Sequence, residues 1–384
     1  MLTHASPIYP VGAYLLSIED LLSKFIDTSH HLNGLSRYSD LHLKTGEPAI
    51  YRYDGDLATI SEAPPLTQEW CEQLIFPLLN SQQIELLKSH PPTDIDASWE
   101  WKEHQTNFRL NVFHDREGLA AVIRVLPRHI PEVQDIGFPN ERIWREICHL
   151  KQGLVIVSGQ TGTGKSTTIA TLLNQINRTR PVRIITLEDP IEYIFKSELA
   201  LFSQREINRH VTSFAQGLRS ALREAPDIIY VGEMRDPEAT SLALSAAETG
   251  HLVLSTLHTR DTRSSITRIV DMFPPDRTRE ISTRLSLSLH CVLGSKLVQR
   301  KDGGRILAME VLKNTLPMSH VIRTGAIHQI LSVIETGTKD GMNTLDHHLQ
   351  SLLNQELITR ESAFMAANDP VTFLPPEARV AHRP

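Results

Sequence analysis

Eight consecutive residues, Gly159-Gln160-Thr161-Gly162-Thr163-Gly164-Lys165-Ser166, match G-x-x-x-x-G-K-[ST] at every required position. Glycines at these spacings let successive backbone N–H groups turn onto phosphate oxygens, and a helix starting at the loop's end adds positive potential. Lys165 is placed to reach the β- and γ-phosphates of a nucleoside triphosphate, and the Ser166 hydroxyl to meet Mg²⁺. Thr167 follows at the head of the helix and is grouped with the loop. The chemistry that suits such a loop is binding and hydrolysis of ATP.

Hydrolysis needs more than a cradle. A carboxylate must orient or deprotonate the attacking water, a second must hold the metal's shell, and cations must meet the developing charge. Glu188 and Glu233 are the two carboxylate candidates. Asp227-Ile228-Ile229-Tyr230-Val231-Gly232-Glu233 reads as an apolar strand ending in an acid, so Glu233 is assigned to Mg²⁺ and its waters and Glu188 to the attacking water. The two roles are interchangeable at this level, because sequence carries no distances. His258, like Thr256, is placed to sense the γ-phosphate or to relay a subunit contact, whereas His251 reads as structural or at an interface. Arginine candidates are Arg109, Arg116 and Arg124 early in the chain and Arg219, Arg223 and Arg235 later.

The elements that must position these groups follow from pattern. Apolar runs Leu154–Ser158, Arg183–Leu187, Ile228–Val231 and Leu252–Thr256 read as strands separated by helices, including Ser213–Arg223 and Pro237–Glu248, the mark of an α/β parallel sheet. Each strand runs into polar groups at the same end: Gly159, Glu188-Asp189, Gly232-Glu233 and His258. Ligands of open parallel sheets sit beyond the carboxyl ends of the strands, so one site is expected to use all four. Beyond about residue 277 the chain reads as mostly helical, with Ile281, Leu285, Leu289 and Val292 on one stripe.

The first third reads differently, as a smaller α+β domain with antiparallel strands. Ile18–Ile26 is an amphipathic helix, Asp54-Gly55 suits a hairpin turn, Leu66–Leu87 suits helices, and Phe108, Leu110 and Val112 alternate with polar neighbours. Pro127, Pro131 and Pro139 mark a linker. The expected division is 1–126 for the N-terminal domain, 127–139 for the linker, 140–367 for the nucleotide-binding domain with a helical C-terminal part, and 368–384 for a poorly ordered tail.

The 384 residues leave ample chain for such domains, and the net charge of −6 with 22% charged residues is ordinary for a globular protein. No basic run suggests a nucleic-acid footprint. No apolar run is long enough to span a bilayer and no signal core opens the chain, so a cytoplasmic location is expected. Cys71, Cys148 and Cys291 form no C-x-x-C pair, which argues against a zinc site.

Together these motifs resemble the type II/IV secretion-ATPase superfamily, and within it the PilT-like pilus-retraction ATPases, over roughly residues 20–365. Ser39–Leu43 with Thr45–Pro48, Phe108–Phe113, Ile123–Pro127, Thr186–Glu192, Ala221–Asp236 and Thr249–Thr259 carry the resemblance, in the family's order. It implies a PAS-like N-terminal domain and a RecA-like ATPase domain, ATP and Mg²⁺ as ligands, and a ring homo-hexamer with nucleotide at the subunit boundaries. Arg109 and Arg124, with Arg116 a further candidate, would approach ATP from the N-terminal domain. The ring would dock on an inner-membrane platform protein and drive pilus retraction and twitching motility. Pro317–Arg323 departs from the segment that retraction motors carry there, and Ser203–His210 resembles DotB-like relatives equally well. A conjugation or secretion client therefore stays open as the near alternative, and a nucleic-acid translocase as the distant one.

Overall fold

A computed structural model describes residues 4–32, 35–126 and 129–374. The chain divides into two compact units, Met1–His129 and Ile130–Pro384.

The first unit is built on a six-stranded sheet. Its order is Asp56–Thr59, Ile50–Tyr53, Tyr38–Lys44, Leu119–Val125, Thr106–His114 and Ile95–Trp101, with every neighbouring pair antiparallel. Phe108, Leu110 and Val112 are fully buried, as their alternation requires, and pack with Leu41, Leu43 and Ile123. Each such side chain removed from water contributes about 1.5–3 kcal/mol. Asp54 and Gly55 adopt φ of 51° and 100° and join two of the strands, the hairpin expected of an Asp-Gly pair. The expected first helix is shorter than its apolar stripe: it spans Ile18–Ser23, opened by a reciprocal Ser17–Asp20 capping box. A small hairpin of Tyr9–Val11 and Tyr14–Leu16 precedes it. The strand Ile95–Trp101 was not expected, although Ile95, Ala97, Trp99 and Trp101 alternate with Asp96, Ser98 and Glu100 and pack on the core.

The second unit holds a seven-stranded sheet. Its order is Leu201–Glu206, Arg183–Glu188, Ile228–Val231, Leu252–Leu257, Gly153–Ser158, Leu289–Gln299 and Arg305–Lys313. The first six are parallel and the last is antiparallel. The four expected parallel strands are all present, and this is the α/β architecture read from the sequence. Helix Lys165–Thr179 buries Ile169, Leu172, Leu173 and Ile176 against one face of the sheet. Helices Phe214–Ala221 and Pro237–Glu248 contribute to the core on the other.

Three expectations are corrected. The stripe Ile281, Leu285, Leu289, Val292 is helical only as far as Ser288; Leu289 and Val292 lie on the strand Leu289–Gln299. That strand is covered on both faces, Cys291 and Leu293 joining one core and Leu289 and Val292 the other. A strand buried on both sides reads as a continuous apolar run, which periodicity does not separate from a helix. It turns back through Gly303 and Gly304, both at positive φ. Second, the stretch 130–139 is not a free linker: Val133 is buried in the second unit and Ile136 and Phe138 pack beside it. Prolines there punctuate chain that is nonetheless anchored. Third, the described part of the expected tail, residues 368–374, is held to the second unit, with Asn368 N donating to Asp346 Oδ1. Pro370–Phe373 forms a 3₁₀ turn and Phe373 is buried with Leu349, Leu352 and Ala363. The rest of the expected tail, 375–384, lies outside the described residues. Among the described residues, no helix is long and apolar enough to cross a membrane.

Candidate active site

Strand Gly153–Ser158 is completely covered, flanked in register by Leu252–Leu257 and Leu289–Gln299. It delivers the chain at Gly159 into the phosphate loop, and helix Lys165–Thr179 starts directly after Gly164. Gly159 and Gly164 have φ of 152° and 88°. A Cβ on Gly159 would meet the Ser295 carbonyl oxygen at 2.6 Å, and Thr163 Oγ1 closer still, so only glycine fits. Gly164 caps the helix without a side-chain bond, which leaves the first helical N–H groups for a ligand.

Lys165 is 7% exposed, and its Nζ donates to the carbonyl oxygens of Gly159 at 2.8 Å and Gln160 at 2.9 Å. Burial lowers its pKa, and the charges of Glu233 and Glu192 oppose that shift. The ammonium is thus folded back on the loop's own carbonyls, a parking place that a phosphate can outcompete. Thr161 Oγ1 lies 3.4 Å from His258 Nδ1, and Thr167 Oγ1 lies 2.8 Å from the Tyr193 hydroxyl.

Glu188 ends its strand and is 6% exposed. Thr186 Oγ1 donates to its Oε1 at 2.6 Å and Gln204 Nε2 donates to the same oxygen at 3.2 Å. Burial pushes its carboxyl up to about 7, with these two bonds pulling the other way. A carboxyl poised there is suited to taking a proton from water near neutral pH.

Glu233 follows strand Ile228–Val231. Its Oε2 accepts from Arg235 Nε at 2.7 Å and stands 3.5 Å from His258 Nε2. Arg235 also reaches Asp189 at 3.4 Å. Burial, followed by the charge of Lys165, lowers the pKa of His258 against the pull of Glu233, so the imidazole is neutral at neutral pH. Two strand ends therefore meet at the loop: His258 bridges Thr161 and Glu233, and the charge of Glu233 is felt at Lys165, whereas Glu188 is held by Thr186 and Gln204 and makes no hydrogen bond to the loop among the described residues. The hydroxyl of Ser166 and the carboxylate of Glu233 are hard oxygen donors of the kind Mg²⁺ takes. No group of three or more His, Cys, Asp or Glu able to hold a metal occurs among the described residues. A metal here would accordingly depend on phosphate and water for most of its shell, which is how Mg²⁺ is usually held.

The remaining candidates divide. His251 Nδ1 lies 3.0 Å from the Ala246 carbonyl and serves the helix end, as expected. Arg219 is paired with Glu238. Arg109, Arg116 and Arg124 belong to the first unit. Arg109 and Arg124 stand opposite each other on adjacent strands, while Arg116 sits in the turn beside Glu117 with a side chain 92% exposed.

Two residues not expected from the sequence shape the site. Ser295, on strand Leu289–Gln299, donates to the Ser158 carbonyl at 2.8 Å and lies 3.1 Å from Thr163 Oγ1, tying the phosphate loop to the neighbouring strand. Gln204, on the edge strand Leu201–Glu206, donates to Glu188 and to the Tyr193 carbonyl at 2.8 Å, and accepts from Phe195 N at 2.9 Å. Ser295 lies in none of the motifs read above and Gln204 lies in Ser203–His210, for which no site role was read; both act through strand pairing across the sheet.

A family model described as "Type II/IV secretion system protein" matches residues 18–306. The type IV pilus retractation ATPase PilT of Pseudomonas aeruginosa is 41% identical over 335 residues, covering 87% of this chain and 96% of that protein. The crystal structure of the pilus retraction motor PilT with bound ADP matches with a TM-score of 0.81 at 38% identity, over 92% of this chain and 98% of that one. The Legionella pneumophila ATPase DotB matches with a TM-score of 0.73 at 27% identity, over 85% and 91% of the two chains. On the family model and the extent of these likenesses, the chain belongs to the Type II/IV secretion system protein family.

Proposed function

We propose that this chain is a motor ATPase that couples ATP hydrolysis to retraction of a type IV pilus. The observation that carries the reading is the convergence of Lys165, Glu233 and His258 on one phosphate loop, in a chain 41% identical to a pilus retraction ATPase over nearly its whole length. The lower identity to DotB, 27%, favours the retraction client over a secretion client.

In this reading the triphosphate lies on the N–H groups at the head of helix Lys165–Thr179, and Lys165 leaves the Gly159 and Gln160 carbonyls to meet the β- and γ-phosphates. Mg²⁺, held by Ser166 directly and by Glu233 through water, would neutralise charge on the phosphates. Glu188 takes the proton of the attacking water, its carboxylate held by Thr186 and Gln204. Glu233 keeps His258 facing the loop, where the neutral imidazole senses whether a γ-phosphate is present. Arg109 and Arg124 supply cations to the ATP of a neighbouring subunit in a ring homo-hexamer, an arrangement that stabilises spreading negative charge. The ring works at the cytoplasmic face of the inner membrane on a platform protein.

Turnover of purified protein with ATP and Mg²⁺, measured as phosphate release, tests the enzyme. Complementation of a strain lacking its retraction motor, scored as twitching, tests the client. Phosphate release without restored twitching would retain the ATPase and remove pilus retraction.

A further inference from the structure

The sheet of the first unit brings charged residues into one line across its strands. Arg52 lies opposite Asp40, Asp40 opposite Arg124, Arg124 opposite Arg109, and Arg109 opposite Ser98. Their neighbours Leu41, Leu110 and Ile123 belong to the core, so alternation places this line on the sheet's other face. Asp40 is nevertheless 1% exposed. Its Oδ1 accepts from Arg124 Nε at 2.7 Å, its Oδ2 accepts from Ser39 Oγ at 2.7 Å, and Arg52 Nε stands 3.7 Å from Oδ2.

The arrangement is poorly explained by stability. Like charges directly opposite on adjacent strands repel, and among the described residues Arg109 pairs only with Asp96, at 3.9 Å. A carboxylate taken out of water is costly, and an apolar residue in its place is often as good or better. What the arrangement does provide is orientation. Asp40 engages one edge of the Arg124 guanidinium through Nε. The terminal amino groups make no hydrogen bond among the described residues, and the side chain is 56% exposed. Guanidinium is a rigid planar fork, so fixing one edge fixes the direction of the other.

We propose that Asp40 is a positioning residue for ATP hydrolysis. It grips Arg124 by Nε and presents the terminal amino groups, beside Arg109, to the phosphates of a neighbouring subunit. This rests on the reading that first-unit arginines meet ATP in a ring, and the test separates the two.

Steady-state ATP turnover is measured on the full chain for D40N, R124A, R124K and the D40N/R124A pair, with thermal unfolding alongside. R124A is expected to lower kcat about a hundredfold and D40N about tenfold, with KM for ATP within about twofold. The pair should be no slower than R124A alone, because a residue acting through Arg124 has nothing left to position. A pair slower by the product of the two single losses would overturn the role of Asp40 while leaving the arginine reading intact. Wild-type turnover in R124A would overturn both. Should D40N fail to fold, R124K decides: it keeps the charge but lacks the second edge, so a loss approaching that of R124A is expected, and wild-type turnover would overturn the proposal.

Discussion

Gln204 Nε2 donates to Glu188 Oε1 at 3.2 Å across the pairing of two parallel strands. Gln204 thus joins Thr186 in fixing the carboxyl that burial has pushed up to about 7. The register sets Thr186 opposite Gln204, two residues before Glu188, so both donors approach the same oxygen. Replacing Gln204 with alanine leaves that oxygen one donor short. The carboxyl should then become harder to ionise, and the acidic limb of the kcat–pH profile should move upward. A limb unchanged in Gln204→Ala would separate Gln204 from the base.

Glu188 acts as a base only when deprotonated, so turnover should fall as pH drops below about 7. Glu188→Gln should bind ATP with near-normal affinity, measured with a fluorescent analogue, yet turn over about 10²–10⁴-fold more slowly. Wild-type turnover would remove the proposed base.

The same carboxyl costs stability. Its folded value of about 7 lies above the ordinary 4.5, so the folded state holds its proton more tightly than the unfolded chain does. Its contribution to stability is fully present below about pH 4.5 and is lost as pH rises through 7, a change on the order of 3 kcal/mol. Glu188→Gln should therefore unfold several degrees higher than wild type at pH 8, with less advantage at pH 5. Equal melting temperatures at both values would show that the carboxyl is not desolvated.

Ser295→Ala removes the bond to the Ser158 carbonyl and the contact with Thr163, beneath the phosphate loop. One such bond is worth about 1 kcal/mol, so nucleotide affinity should weaken about fivefold with the fold retained. Unchanged affinity in titration calorimetry would show that the loop keeps its shape without the strand.

Arg109→Ala should leave nucleotide binding by an isolated subunit intact and lower turnover in the ring. Equal loss in a variant held monomeric would contradict a role in trans.

Much of this was legible in the sequence because the signals were local. Gly159–Ser166 required a strand before it and a helix after it, and both are there. Strand ends carrying Glu233 and His258 were readable because a parallel sheet gathers equivalent ends on one side. What was not legible depended on pairing. Gln204 sits on a polar edge strand with little apolar alternation. Ser295 sits on a strand buried on both faces, whose continuous apolar run passed for the end of a helix. Asp40 was visible as part of a motif, but its hold on Arg124, 84 residues away, exists only through sheet register.

The most direct test is a crystal structure of the chain with a non-hydrolysable ATP analogue and Mn²⁺ in place of Mg²⁺. Lys165 Nζ should have left the Gly159 and Gln160 carbonyls for the β- and γ-phosphates, and the anomalous peak should lie beside Ser166 with Glu233 in its outer shell. A nucleotide bound elsewhere, with Lys165 still on those two carbonyls, would contradict the account.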